Sequence, residues 1–160
     1  MKEKIKHYIK EIAIFIVVMS IFSNLLSLYK SQELNKEPLN SYILSRLHYD
    51  LNDVLIIHFW ATWCPTCKVE SANIERLSKD FNVITIAVNS SDEDIKNYME
   101  KNHLTFKVIN DENGEFSKEF NINAYPTTFI YDKHKRLVFS DVGYSTTLSL
   151  YLKALFTRIK

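Results

Sequence analysis

Glycine is nearly absent: the 160 residues hold only Gly114 and Gly143. No G-x-G-x-x-G or P-loop pattern can be written, which excludes a glycine-rich loop cradling phosphates. An excess of charge is also lacking, with 20 Lys and Arg against 19 Asp and Glu and a formal net charge of +1. Without a basic stripe, nucleic acid is excluded as a partner. There is no internal repeat and no low-complexity tract. Cysteine is scarce, and the two present, Cys64 and Cys67, sit three positions apart. A small domain stapled by disulfides would spread its cysteines along the chain. A bridge closing so small a loop constrains little of the unfolded chain, so its use is chemical rather than structural. At 46% hydrophobic, a chain of this length builds a core without staples or a structural metal.

One long apolar run is present. Ile12 to Tyr29 carries no charge over eighteen residues, the lower end of what crosses a hydrocarbon core of about 30 Å as a helix. Lys2, Lys4, Lys6 and Lys10 precede it, against Glu3 and Glu11. The positive-inside rule then keeps the N-terminus in the cytoplasm and exports the chain beyond Lys30. A cleaved signal peptide would have a shorter apolar region and a small-residue cleavage site, which the stretch Asn24 to Leu28 does not offer. A buried core helix is the other alternative, but the run is apolar all round and lies outside the domain C-terminal to it. The expected organisation is a basic stub over 1–11, a transmembrane anchor over 12–29, a polar linker over 30–47 and a folded domain over 48–160. A short strand or helix is expected near Tyr42–Leu47.

The domain reads as alternating elements. Val54 to Trp60 is a continuous apolar run suited to a buried central strand. Cys64 to about Asp80 reads as a helix with Pro65 in its first turn, where the missing N–H costs nothing. Val83 to Val88 is a second buried strand. Ser90 and Glu93 suggest a capping box, leading into a helix with Ile95, Tyr98 and Met99 on one face. A short strand over Thr105–Ile109 and a short helix over Glu115–Phe120 come next. Thr127–Tyr131 and Arg136–Asp141 read as an antiparallel hairpin. A last helix from about Ser145 gathers Leu148, Tyr151, Leu152, Leu155, Phe156 and Ile159 on one apolar side, expected to face the core. The order fits an α/β fold, a mixed sheet with helices on both faces.

Trp63-Cys64-Pro65-Thr66-Cys67 carries the chemistry. Thiol–disulfide exchange needs a thiolate, and a free cysteine has a pKa near 8.5. Cys64 stands at a helix N-terminus, where unpaired N–H groups and partial positive charge favour its ionised form. Cys67 lies one turn inward, placed to attack a mixed disulfide on Cys64. Cys64 is thus the expected entering nucleophile and Cys67 the resolving thiol. Half of a zinc site is an alternative, with His58, His103 or His134 as partners, but no second CxxC or H-x3-5-H exists. Neither metal nor cofactor is expected.

Phe59 to Cys67 (FWATWCPTC) resembles the active-site signature of the thioredoxin superfamily. Ala124-Tyr125-Pro126-Thr127-Thr128-Phe129, about sixty residues on, resembles its second signature. The likeness runs from about Asp53 to Lys160. It is most similar to membrane-anchored TlpA/ResA-like thiol–disulfide oxidoreductases of bacteria, and among them to the suppressor-for-copper-sensitivity protein D group, with a similar Val142-Gly143-Tyr144-Ser145 stretch. The resemblance implies a thioredoxin-like fold behind an N-terminal transmembrane helix. It also implies a cis bond before Pro126, facing the CxxC pair, with the backbone of Tyr125 pairing with a substrate segment. Trp63 reads either as packing or as part of the substrate surface.

Glu70, three residues after Cys67, matches an acid that tunes the thiols in TlpA/ResA-like proteins. It would act by like-charge repulsion from the active-site rim, against the alternative of a solvated helix residue. His58 replaces the buried acid of thioredoxins; it is either a base toward Cys67 or a satisfied core histidine. The resemblance further implies a reductase or isomerase acting on exported thiol and disulfide proteins, with electrons from a membrane thiol-donor protein and a periplasmic or extracytoplasmic location. A disulfide-forming oxidant and a thiol-based copper or haem carrier are the competing functions. The Pro65-Thr66 pair matches neither the usual reductant nor the strong-oxidant dipeptide, and no Met/His cluster flanks the thiols.

Overall fold

A computed structural model of the chain describes residues 2–34, 36, 37, 39, 41–47 and 53–159. Helix α1 covers Lys2–Lys30, a 3-10 turn Ser31–Glu33 and helix α2 Ser41–Arg46. Then come β1 Leu55–Trp60, α3 Pro65–Leu77, β2 Asn82–Val88, α4 Asp92–Lys101, β3 Lys107–Asp111, α5 Glu115–Glu119, β4 Thr127–Tyr131, β5 Leu137–Val142 and α6 Thr147–Ile159. The expected start at residue 48 falls outside the described residues.

The five strands form one sheet in the order β3-β2-β1-β4-β5. β1, β2 and β3 are parallel; β4 runs antiparallel to both β1 and β5. Every residue of β1 is buried, which is why its sequence is apolar without alternation. Successive side chains enter opposite cores. Leu55, Ile57 and Phe59 join α2, Phe116 and Phe120 on one face. Ile56 and Trp60 join Cys64, Cys67, Ile74, Leu77, Ile95, Leu150 and Ala154 on the other. Helices therefore cover both faces, as expected.

Four local readings need correcting. The linker holds the short element expected near Tyr42–Leu47, as helix α2, but it is not a free tether: Leu34, Leu39, Ile43, Leu44 and Leu47 are buried in the first core. Their apolar side chains seal a sheet face that would otherwise meet water. The cap of α4 is Ser91, whose hydroxyl accepts the Asp94 N–H at 3.1 Å. Ser90 is occupied elsewhere, donating to the Val88 carbonyl and accepting the Thr62 N–H. The third strand starts at Lys107, because Glu75 accepts the N–H groups of Thr105 and Phe106. Finally, α6 buries Leu150, Ala154 and Thr157; of the expected apolar side Tyr151 and Leu155 pack against the core, while Leu148, Leu152, Phe156 and Ile159 are exposed. The small Ala154 and Thr157 on the inner side let α6 lie close to the sheet.

Helix α1 runs 29 residues. Its described apolar side chains, from Ile9 to Leu26, are exposed. Among the described residues no helix is long and apolar enough to cross a membrane; several side chains within α1 lie outside that description. Near its end Ser27 Oγ accepts the Val142 N–H of β5 at 3.0 Å.

Candidate active site

The site begins where β1 ends. Ala61 is buried, and the turn after it is held by its neighbour loop. Thr62 donates from both its N–H and its hydroxyl to Ser90 Oγ, at 3.2 and 3.1 Å. The Trp63 indole donates to the Asn89 carbonyl at 3.1 Å. Cys64 is the N-cap of α3, in extended conformation, and Pro65 opens the helix. The Cys64 Sγ accepts the Cys67 N–H at 3.1 Å. An orphan N–H of the first turn therefore points at this sulfur, the arrangement that favours a thiolate. Cys64 and Cys67 are joined as a disulfide, with Cα atoms 5.3 Å apart. Cys64 retains 5% of its surface and Cys67 2%, so both residues are buried and Cys64 is the slightly better exposed. Pro65 and Thr66 between them are exposed.

The Tyr125–Pro126 bond is cis. The Tyr125 ring meets Trp63 edge to face, with centroids 5.7 Å apart. The two sequence signatures thus meet in space, although about sixty residues separate them. The Pro126 carbonyl accepts the Gly143 N–H at 2.8 Å. Gly143 has φ of +93°, a region that favours glycine, and a Cβ there would meet nothing within 4 Å. Its role is conformational.

Glu70 departs from expectation: its side chain has no exposed surface and is not at a solvated rim. Oε1 accepts the Ser145 N–H at 3.2 Å, and Oε2 has no hydrogen-bond partner. Burial pushes its pKa up to about 8; the Ser145 N–H works against this and the Asp141 charge adds to it. Burial thus favours the neutral carboxyl, which weakens like-charge repulsion of the thiols. Asn73, one turn along α3, donates to the Ser145 carbonyl at 3.0 Å and accepts from the Thr147 hydroxyl at 2.7 Å. Glu70 and Asn73 together clamp α3 to the 143–147 connection. Sequence reading missed Asn73; its spacing from Glu70 was the available signal. It also missed the pair of Lys153 with Asp141 at 2.6 Å.

His58 is buried in β1 and its Nδ1 lies 2.9 Å from the Thr128 hydroxyl, its register partner in β4. Burial lowers its pKa to about 3. A neutral ring so reluctant to take a proton is a weak base, and the contact with Thr128 gives it a place in the core. Beside it, the Trp60 indole donates to Thr85 at 3.1 Å. His103 lies just past α4 and His134 in the β4–β5 turn. Among the described residues, no group of three His, Cys, Asp or Glu is arranged to hold a metal ion.

The Redoxin family model matches residues 33–155. A "Thioredoxin-like protein" of Haemophilus influenzae is 33% identical over 141 residues, covering 84% of this chain and 83% of that protein. "Thiol-disulfide oxidoreductase ResA" of Bacillus cereus is 27% identical over 150 residues, covering 86% and 87%. Among solved structures, StoA from Bacillus subtilis superposes with a TM-score of 0.57 at 25% identity, covering 65% of this chain and 84% of that one. With the paired cysteines at a helix start and the second signature against them, the chain belongs to the Redoxin family, as a ResA-like thiol–disulfide oxidoreductase of the thioredoxin superfamily.

Proposed function

We propose that the chain is held in the bacterial cytoplasmic membrane by Ile12–Tyr29 and exchanges thiols and disulfides with exported proteins, in the direction of reduction and isomerisation. The uncharged run and the lysines before it support a single pass with the N-terminus in the cytoplasm. The resemblance to the TlpA/ResA-like group supports the direction and a membrane thiol-donor protein as the electron source.

One observation carries the chemistry: the Cys67 N–H aimed at the Cys64 sulfur, with the Tyr125–Pro126 turn nearby. The reduced Cys64 thiolate attacks one sulfur of a substrate disulfide. That bond breaks, a Cys64–substrate disulfide forms, and the other substrate sulfur leaves as a thiolate. Cys67 then attacks Cys64, releasing the second substrate sulfur and forming the Cys64–Cys67 bridge. Substrate loses its disulfide and takes two electrons; the thiol donor restores them. Tyr125 offers backbone for strand-like pairing with the substrate, Pro126 keeps an N–H donor away from the thiolate, and Trp63 adds apolar contact surface. Glu70 is a neutral acid one turn from Cys67, able to hold a proton near the resolving thiol. His58 serves the core around the pair.

The reduction potential tests the direction. A value near −270 mV supports a reductant, and one near −120 mV makes the chain an oxidant. Cys67→Ala is expected to accumulate mixed disulfides with exported proteins, seen as reducible adducts on gels; none in intact cells would refute the exchange. Alkaline carbonate washing is expected to leave the chain in the membrane, and release of the intact protein would remove the anchor.

A further inference from the structure

The outer side of α6 carries large apolar side chains that the sheet does not cover. Leu148, Leu152, Phe156 and Ile159 are 69, 57, 57 and 86% exposed, at spacings that align them on one stripe. The stripe extends for about 17 Å at 1.5 Å per residue. A stripe of large apolar side chains of this kind marks a contact.

Three observations identify what covers it. The first is where exposed apolar surface occurs. Beyond α1, the other exposed large apolar side chains among the described residues are Trp63, Val69 and Tyr144. They belong to the active-site turn, to α3 and to the connection before α6; α4 and α5 have none. Asn73 joins the pieces, reaching the Tyr144 hydroxyl at 3.3 Å and the Thr147 hydroxyl at 2.7 Å.

The second is charge. Helix α6 contains no acidic residue. Its Lys153 and Arg158 are paired with Asp141 and Asp53, so this side is close to neutral. Helix α4, which leads to the opposite sheet edge at β3, opens with Asp92, Glu93 and Asp94. An anionic lipid surface tolerates the first side and repels the second.

The third is attachment. Ser27 of α1 binds Val142. Val142 pairs with Thr127 and Thr127 with Phe59. The helix thus meets the sheet at the edge where β1 gives way to Cys64. On the same strand, Phe139 packs against Phe156 with centroids 6.0 Å apart, so α1 and the stripe both adjoin β5.

We infer that the apolar stripe of α6 rests on the surface of the bilayer that holds α1, as an interfacial helix does, and turns the Cys64 edge toward the membrane plane. The inference rests on α1 being an anchor. The partner class it favours is a membrane protein presenting its thiols at the bilayer surface.

The test uses the full chain in vesicles of phosphatidylcholine and phosphatidylglycerol doped with a photoactivatable phospholipid. Peptides from 147–159 are expected to take up label together with those of α1, while 92–101 stays unlabelled. The triple variant Leu148→Ser, Leu152→Ser, Ile159→Ser is expected to lose label from α6 and keep it on α1, since exposed substitutions leave the fold intact. Label on α1 alone in the parent chain overturns the inference while leaving the anchor standing. No label on α1 removes both together. Crosslinks between α6 helices of two copies, with no lipid label on α6, would overturn it in favour of a self-association surface.

Discussion

Glu70 is hard to ionise where it stands, fully buried with one carboxyl oxygen unpartnered. Its pKa is about 8 in the folded chain against an ordinary 4.5. Below 4.5 both folded and unfolded chains hold the proton. As pH rises toward 8 the unfolded chain releases it first, so this residue makes the fold progressively less stable. Oxidised parent protein is expected to have a lower urea midpoint at about pH 8 than at about pH 5, and Glu70→Gln is expected to flatten that slope. Glu75, held down to about 2 by Lys79, Thr105 and Phe106 despite its burial, has the opposite effect, but below the same window. His58 gives a second residue-level prediction. Thr128→Val removes its partner and leaves a buried ring nitrogen unmatched, a cost of about 1–3 kcal/mol by urea denaturation. His58→Asn is expected to leave Cys67 alkylation rates unchanged, and slower alkylation would restore the base role. Cys64, Cys67 and Pro126 were legible because each lies in a short contiguous motif. The burial of Glu70 was not, because its cover comes from Ser145, 75 residues away.

Elements were legible where one strand or helix is uniformly apolar, and misread where polar residues interrupt the pattern. The segment 30–47 reads as polar, yet Ile43, Leu44 and Leu47 follow the i, i+1, i+4 spacing of a helix face, and the family match already includes it from residue 33. Leu47 is fully buried, so Leu47→Ala is expected to destabilise the domain by about 2–5 kcal/mol in denaturant titrations. A smaller loss would mean that the segment packs loosely. Helix α6 was misread in part. Tyr151 and Leu155 of its apolar side pack on the core while Leu148, Leu152, Phe156 and Ile159 lie away from it, and periodicity alone does not say which partner a stripe meets.

At the scale of the whole molecule, the N-terminal segment borders the β5 edge of the sheet. Among the described residues two hydrogen bonds stitch it there, from the Val142 N–H to Ser27 Oγ and from the Leu39 N–H to the Lys135 carbonyl, 3.1 Å. An open strand margin is a template on which other chains add. Recombinant fragments cut after Lys30 for solubility keep the second stitch and lose the first. Their concentrated solutions are therefore expected to contain dimers by sedimentation velocity where longer versions in detergent do not.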